Sequence, residues 1–104
     1  MMTLHDALDR LGIDYADEKI EKNVERALAA AERTLRGAVG ESVQTYLPED
    51  PRVDELIGIY LEDLYDNRGM NAKVAGATRQ LVLTLETQLR LELRRAIEAA
   101  GGET

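Results

Sequence analysis

The stretch "TRQLVLTLETQLRLELRRAIEAA", residues 78–100, decides the fold class, because its sequence fits either a strand or a helix. Leucines alternate with other residues over 81–85 and again over 89–93, which is the spacing of a strand. The residue types indicate the opposite, because Leu, Gln, Glu, Arg and Ala favour helices and β-branched residues are scarce. Propensity and length together predict a helix over residues 78–99, with a strand as the less favoured alternative.

Three further helices are predicted before this stretch. Thr3 can cap a short first helix that ends at Gly12. Asp14 and Asp17 are the next candidate caps, and apolar residues then recur at helical spacing over 17–39. Asp50 followed by proline is a strong helix start, because proline fits the first helical position and aspartate can cap it. That helix is expected over 51–67. The prediction is an all-α fold, a small bundle of one short and three longer helices.

The chain is expected to form a single helical domain over 1–104, the size at which one modest core can be buried. Residues 41–49 fit either one more helical turn or an extended link. Residues 69–76 are predicted to form a loop, and 101–104 a frayed C-terminus. Cysteine is absent, which excludes disulfides and thiolate chemistry.

The charge of the chain is acidic and unevenly distributed. The net charge is −7, which argues against a general nucleic-acid binder. Residues 1–68 hold 16 acidic and 8 basic residues, whereas residues 69–104 hold 4 acidic and 5 basic ones. The two parts therefore carry −8 and +1, and such asymmetry suggests that opposite ends of neighbouring molecules attract each other. The N-terminus lacks the pattern of a signal peptide, and no apolar run is long enough to span a membrane.

The last predicted helix has apolar residues on two sides. On a helical wheel of about 100° per residue, one broad arc is predicted to face the core. Its members are Leu81, Val82, Leu85, Leu89, Leu93 and Ala96. Leu91 falls nearly opposite the centre of this arc, and Leu83 lies beyond one edge. A monomer of three or four helices has too few elements to bury both apolar sides of this helix. Leu83 and Leu91 are therefore candidate subunit-interface residues.

The helix over 51–67 has a predicted core face and an acidic back. The core face comprises Val53, Leu56, Ile57, Tyr60, Leu61 and Leu64, and the back comprises Glu55, Glu62, Asp63 and Asp66. Ile59 sits among these acids. An apolar side chain within an acidic face is a further candidate for the subunit interface.

Catalytic constellations are not recognisable in the sequence. His5, the lone histidine, has no cysteine or other evident partner for a zinc site and is expected at the surface. Acid pairs at a spacing of three, Glu18 with Glu21 and Asp63 with Asp66, could hold Mg²⁺ as in all-α nucleotide pyrophosphohydrolases of the MazG type. The match is poor, because the second pair there usually begins with Glu and the pairs here are too far apart. We expect no enzymatic activity, no metal site and no cofactor.

The order of segments resembles a known family. The short helix "TLHDALDRLGID" is followed by the Ala-rich "ALAAAERTLRGAVG", then by "DPRVDELIGIYLEDLYDNRG" and finally by "LVLTLETQLRLEL". This order is similar to that of the small head-tail connector proteins of long-tailed double-stranded DNA phages. These are head-completion adaptors that are also described as possible DNA-packaging proteins. The most specific pieces are Tyr65, Asp66, Asn67 and Arg68, and later Gln88, Leu89 and Arg90.

The resemblance implies a structural function in the virion, at the junction of head and tail. Such adaptors form a ring, usually of twelve copies, beneath the portal protein. They extend the DNA channel and provide a platform for the next stopper or tail-completion protein. Genomic DNA passes through without sequence-specific binding, and the ring contacts no membrane. Before assembly the chain would reside in the host cytoplasm. The alternatives are the metal-dependent nucleotide hydrolase and a small helical regulator that binds another protein.

Overall fold

A computed structural model of the chain describes residues 2–66 and 76–101, apart from the side chains of residues 66, 76 and 77. The described residues form five helices and no strand. These are α1 (Leu4–Arg10), α2 (Glu18–Val39), α3 (Val43–Tyr46), α4 (Pro51–Asp66) and α5 (Gly76–Ala99). The predicted all-α fold is therefore confirmed, and the strand alternative for 78–99 is wrong.

Polar side chains start three of the helices as the sequence predicts. Thr3 and Asp6 form a reciprocal capping box at α1, with two hydrogen bonds of 3.1 Å. At α2 the backbone N–H of Ile20 donates to Asp17 Oδ1 over 2.8 Å. Asp50 precedes α4, and its Oδ1 accepts a hydrogen bond of 2.9 Å from the backbone N–H of Arg52. Each carboxylate or hydroxyl satisfies an N–H group that has no partner within the first turn of a helix.

Gly40 ends α2 in a conformation that only glycine adopts without strain. Its φ is +151°, outside the regions favoured by residues with a Cβ. A Cβ at this position would lie 2.6 Å from Leu93 Cδ2 of α5. The glycine therefore allows the C-terminal end of α2 to approach α5 closely.

The helix bounds refine the predictions. Within 41–49 the helical turn forms, as α3, and α4 comprises Pro51–Asp66, whereas residue 67 of its predicted range lies outside the described residues. The predicted loop 69–76 is wrong at its last residue, because α5 already begins at Gly76. Residues 69–75 of that loop, and residues 102–104 of the predicted frayed terminus, lie outside the described residues.

The helices pack around a central pair, α2 and α4. Helix α1 lies on both members of this pair, whereas α5 packs on α4, α2 and the short α3. The molecule measures 45 × 31 × 18 Å along its principal axes, so the bundle is flat. Consequently α5 keeps a broad outer side that the other described helices leave exposed.

The core is aliphatic and has contributions from every helix. Its buried members are Ala7, Val24, Ala31, Leu35, Val39, Val43, Val53, Leu56, Ile57, Leu61, Leu85, Leu89 and Leu93. Two predicted core residues are exceptions, since Leu64 is 40% exposed and Leu81 is 44% exposed. Leu64 lies in the last turns of α4 and Leu81 in the first turns of α5. At this end of the helix pair the other described helices provide little cover.

Candidate interaction surface on the last helix

The outer face of α5 presents two large apolar side chains to solvent. Leu83 is 52% exposed and Leu91 is 48% exposed, whereas Leu89 between them is fully buried. Eight residues of helix separate the two exposed leucines by about 12 Å. The exposure expected for these two candidate interface residues is thus present. Their contact with another subunit stays a prediction.

The third candidate, Ile59, has a different environment. Its side chain is half-buried and packs against the hydrophobic core. The sequence placed it on an exposed acidic face of α4, but α1 packs beside this helix and covers part of that face. The candidate interaction surface is therefore centred on Leu83 and Leu91, and Ile59 belongs to the margin of the core.

Positive charge surrounds the exposed leucines of α5. The exposed charged residues of the described part of this helix are Arg79, Arg90, Arg94, Arg95 and Glu98, whereas Glu86 and Glu92 are half-buried. Arg95 pairs with Glu92 over 3.3 Å. Within the described part of the chain, Arg94 makes no hydrogen bond or ion pair. The outer side of α5 is thus basic on a protein of net charge −7.

The Gln-Leu-Arg piece of the family resemblance has a structural role. Leu89 is fully buried, and Gln88 is exposed beside it. The Arg90 guanidinium donates to the backbone carbonyl of Ala38 over 2.9 Å and to Thr87 Oγ1 over 3.2 Å. Ala38 lies in the last turn of α2, where carbonyl groups lack helical partners and attract cations. Arg90 therefore holds α5 against the end of α2, and Leu89 anchors the same turn in the core.

The other piece of the resemblance lies at the end of α4. Tyr65 is half-buried and packs against the same core as Leu89. Asp66 is the last residue of α4, and Asn67 and Arg68 lie outside the described residues. The structure thus brings Tyr65 and Leu89 to one core.

An ion cluster between α1 and α4 was not predicted. The Arg10 guanidinium donates to Glu55 over 3.3 and 3.4 Å and to Glu62 over 3.2 Å. It lies against Gly58, where a Cβ would come within 2.6 Å of Arg10 Cζ. The sequence contains a usable signal, because Glu55, Gly58 and Glu62 follow one stripe of a helix at spacings of three and four. Two of the acids assigned to the back of α4, Glu55 and Glu62, therefore bind α1, whereas Asp63 is exposed.

The pKa of Arg10 reflects this arrangement. Partial burial alone would lower the pKa, but hydrogen bonds and charge attraction from Glu55 and Glu62 outweigh that effect and raise it. The arginine therefore stays charged, and it holds two acids that would otherwise repel each other. The role of this cluster is to fix α1 on α4.

A second polar contact joins α4 to α5. The Tyr60 hydroxyl donates to Glu86 Oε2 over 2.5 Å. Burial, the hydrogen bond to Glu86 and the charge of that carboxylate raise the pKa of the Tyr60 phenol. The neutral phenol is the donor that this contact requires.

Residues 14–18, which we call the acidic corner, comprise the end of the link before α2 and the first residue of that helix. Tyr15 is 82% exposed, the most exposed large apolar side chain described. Asp14, Asp17 and Glu18 beside it are exposed as well, and no basic residue lies within the corner. Glu18 contacts Lys22, one turn further along α2, over 3.7 Å. The corner therefore combines an exposed aromatic ring with carboxylates.

The described residues include most of the side chains that the sequence offers for catalysis or metal binding. His5 lies at the surface as expected, 3.4 Å from Asp9. Across residues 2–66 and 76–101, no three His, Cys, Asp or Glu side chains cluster closely enough to hold a metal ion. The side chain of Asp66, which forms the second candidate acid pair with Asp63, lies outside the described set. None of the described helices has the length and apolar character needed to span a membrane.

Comparisons with known proteins complete the description of this surface. No family model, curated protein or solved structure matches this chain. The function is therefore inferred from the fold, from the outer face of α5 and from the resemblance carried by the sequence.

Proposed function

We propose that this protein is a structural head-tail adaptor of a tailed phage. Copies of the chain would form a ring beneath the portal protein, extend the DNA channel and present a docking platform to a stopper or tail-completion protein. The proposal starts from the order of segments that resembles this family, with Tyr65–Arg68 and Gln88–Arg90 as its most specific pieces.

The observation that carries the proposal is the pair of exposed leucines on α5. Leu83 and Leu91 present apolar surface on a helix whose opposite side already forms part of the core. A small bundle gains by covering such surface with another subunit, because burial of apolar area is favourable by about 25 cal/mol per Å². A helix with two apolar sides suits a protein that assembles.

The charge of the chain fits a channel function. An excess of carboxylates repels DNA phosphates, so a ring of net acidic subunits would let DNA pass without gripping it. Arg10, Glu55 and Glu62 contribute to folding instead, since they bind each other within the subunit. In this proposal the subunit performs no chemistry, and binding to neighbouring proteins is its whole activity.

Purified protein provides the first test. Light scattering over a range of concentrations is expected to reveal rings or large oligomers, alone or with the portal protein present. Incubation with Mg²⁺ and nucleoside triphosphates is expected to release no pyrophosphate. A chain that stays monomeric with the portal protein and that hydrolyses nucleotides would overturn the proposal in favour of the pyrophosphohydrolase alternative.

A further inference from the structure

We propose that the outer face of α5 binds the acidic corner of a second copy of this chain. The α5 outer face is defined here as Leu83, Thr84, Thr87, Leu91, Arg94 and Arg95. The proposed contact places Tyr15 of one molecule on Leu91 of the next. This inference rests on the proposed function in one respect, since both require copies of the chain to associate.

The charges of the two surfaces are complementary. Arg94 and Arg95 flank Leu91 on the helix, and both are exposed. Asp14 and Asp17, one residue before and two residues after Tyr15, are exposed as well. An apolar side chain between cations thus meets an aromatic ring between carboxylates. Interfaces use such patterns to steer association and to fix the register of the partners.

The individual side chains are those that suit an interface. Tyr15 is 82% exposed, and tyrosine is among the residues that most often dominate binding energy. Arg94 makes no ion pair or hydrogen bond with the described residues, so a partner's carboxylate would not displace a described contact. Glu98, one turn beyond Arg94, is the one exposed acid on the described part of α5.

The two surfaces cannot meet within one molecule. Arg90 contacts Ala38 and Leu93 lies beside Gly40, so this part of α5 is held at the C-terminal end of α2. The acidic corner adjoins the N-terminal end of the same helix. Along α2 the ends are about 30 Å apart.

Contact between different surfaces on two copies is a head-to-tail interface. Each added molecule presents one free surface of each kind, so the assembly grows until it closes as a ring or extends as a filament. A two-fold dimer, by contrast, would pair the α5 outer face with itself. This difference makes the inference testable with variants that each lose one surface.

Two double variants remove the surfaces separately. The face variant carries Leu91→Asp and Arg94→Glu, and the corner variant carries Asp14→Asn and Tyr15→Ser. All four residues are exposed, and Asp17 is left unchanged because it caps α2. Arg33→Glu, on the exposed side of α2, makes the same change in charge as Arg94→Glu and serves as the control. Circular dichroism confirms that each variant remains helical.

Sedimentation velocity measures the outcome. Wild type and Arg33→Glu are expected to form species larger than dimers as concentration rises. Each double variant alone should associate at least roughly 30-fold more weakly, as for the loss of a dominant interface residue. An equimolar mixture of the two variants should form dimers of one copy of each and nothing larger, because only one pair of intact surfaces remains.

Other results overturn the inference. A corner variant that associates like wild type would indicate that α5 faces pair with themselves. A mixture without mixed dimers, or a wild-type chain that is monomeric at about 1 mM, would also contradict it. Should a double variant unfold, single cysteines at positions 15 and 91 replace the test, since the natural chain has none. A mixture of those two variants must then cross-link as a 15–91 pair, and its failure to do so contradicts the proposal.

The failure of this inference is distinguishable from that of the adaptor function. Rings that form equally well from both double variants would assign the interface elsewhere and leave the adaptor proposal standing. The adaptor proposal is decided by the position of the chain in assembled particles, which does not depend on the residues of the contact.

Discussion

Arg10 of α1 lies against Gly58 of α4, so closely that a Cβ at residue 58 would come within 2.6 Å of the Arg10 Cζ atom. The same guanidinium binds Glu55 and Glu62 on either side of that glycine. The acidic stripe of α4 thus receives the short first helix. This contact, together with the exposed leucines of α5, determines which surfaces remain for partners.

Replacing Arg10 by methionine is expected to lower the free energy of unfolding by about 1–2 kcal/mol. Both ion pairs are partly exposed, so each contributes modestly, but the loss leaves Glu55 and Glu62 facing each other. Because salt screens such charges, the loss should shrink in 1 M NaCl. Urea unfolding at low and high salt measures it. The exposed Arg33→Met is the control, and an equal loss there would contradict the role of the cluster.

Gly58→Ala is expected to change stability by less than about 1 kcal/mol, because alanine favours the helix by about that amount while the added Cβ displaces Arg10. The informative quantity is the coupling free energy between residues 10 and 58. When residue 58 is alanine, Arg10→Met should lower the free energy of unfolding by less than it does in wild type. A double-mutant cycle measures this difference. An unchanged cost would mean that Arg10 keeps its acids without lying on Gly58.

Gly40→Ala is expected to destabilise the fold by at least about 2 kcal/mol. The residue has a φ of +151°, and its new Cβ would meet Leu93 at 2.6 Å. Gly37→Ala provides a matched control, because a Cβ there meets no atom within 4 Å and the residue lies in the interior of a helix. That control should gain up to about 1 kcal/mol. Thermal unfolding compares the two, and similar effects at both positions would contradict the close approach of α2 and α5.

Tyr60→Phe is expected to change how the free energy of unfolding depends on pH in the alkaline range. Since the pKa of the folded-state phenol lies above its ordinary value of 10.0, the stabilisation is fully present below pH 10 and is lost as pH rises toward the folded-state pKa. At pH 8 the variant should be about 1 kcal/mol less stable than wild type, because it lacks the bond to Glu86. By about pH 11 the difference should nearly vanish. Urea unfolding at both pH values checks this, and a constant difference would refute it.

Leu91→Asp and Leu89→Ala are expected to separate association from folding. Leu91 is 48% exposed, so its replacement should leave the monomer folded and weaken self-association. Leu89 is fully buried, and its truncation should cost about 2–5 kcal/mol of stability. Thermal unfolding and sedimentation, measured on both variants, give the two quantities. Unfolding of the Leu91→Asp monomer would show that Leu91 supports the core.

The sequence predicted the helices well where local chemistry specifies them. Thr3, Asp17 and Asp50 are caps whose side chains bind the first turn, and this depends on neighbours three residues away at most. The ambiguous stretch 78–99 also followed its propensity. Local rules failed for Leu64 and Leu81, because exposure at the end of a helix pair depends on which other elements reach it.

The candidate surface was predicted only in part. The helical wheel placed Leu83 and Leu91 outside the core face, and both are exposed. This succeeded because the direction of a side chain around one helix follows from the period of that helix. The same helical wheel did not predict that Ile59 packs against the core, or that Glu55 and Glu62 bind Arg10, which is more than forty positions away along the chain. The acidic corner was missed as a surface, since the exposure of Tyr15 depends on the packing of α1 and α2.

The position of the chain in assembled particles tests the proposed adaptor function most directly. A cryo-electron microscopy reconstruction of the particles made by the genome that encodes this chain would locate it. The expected result is a ring of all-α subunits immediately beneath the portal, surrounding the DNA channel. Complete particles that lack the chain, or that carry it away from the portal vertex, would contradict the proposal.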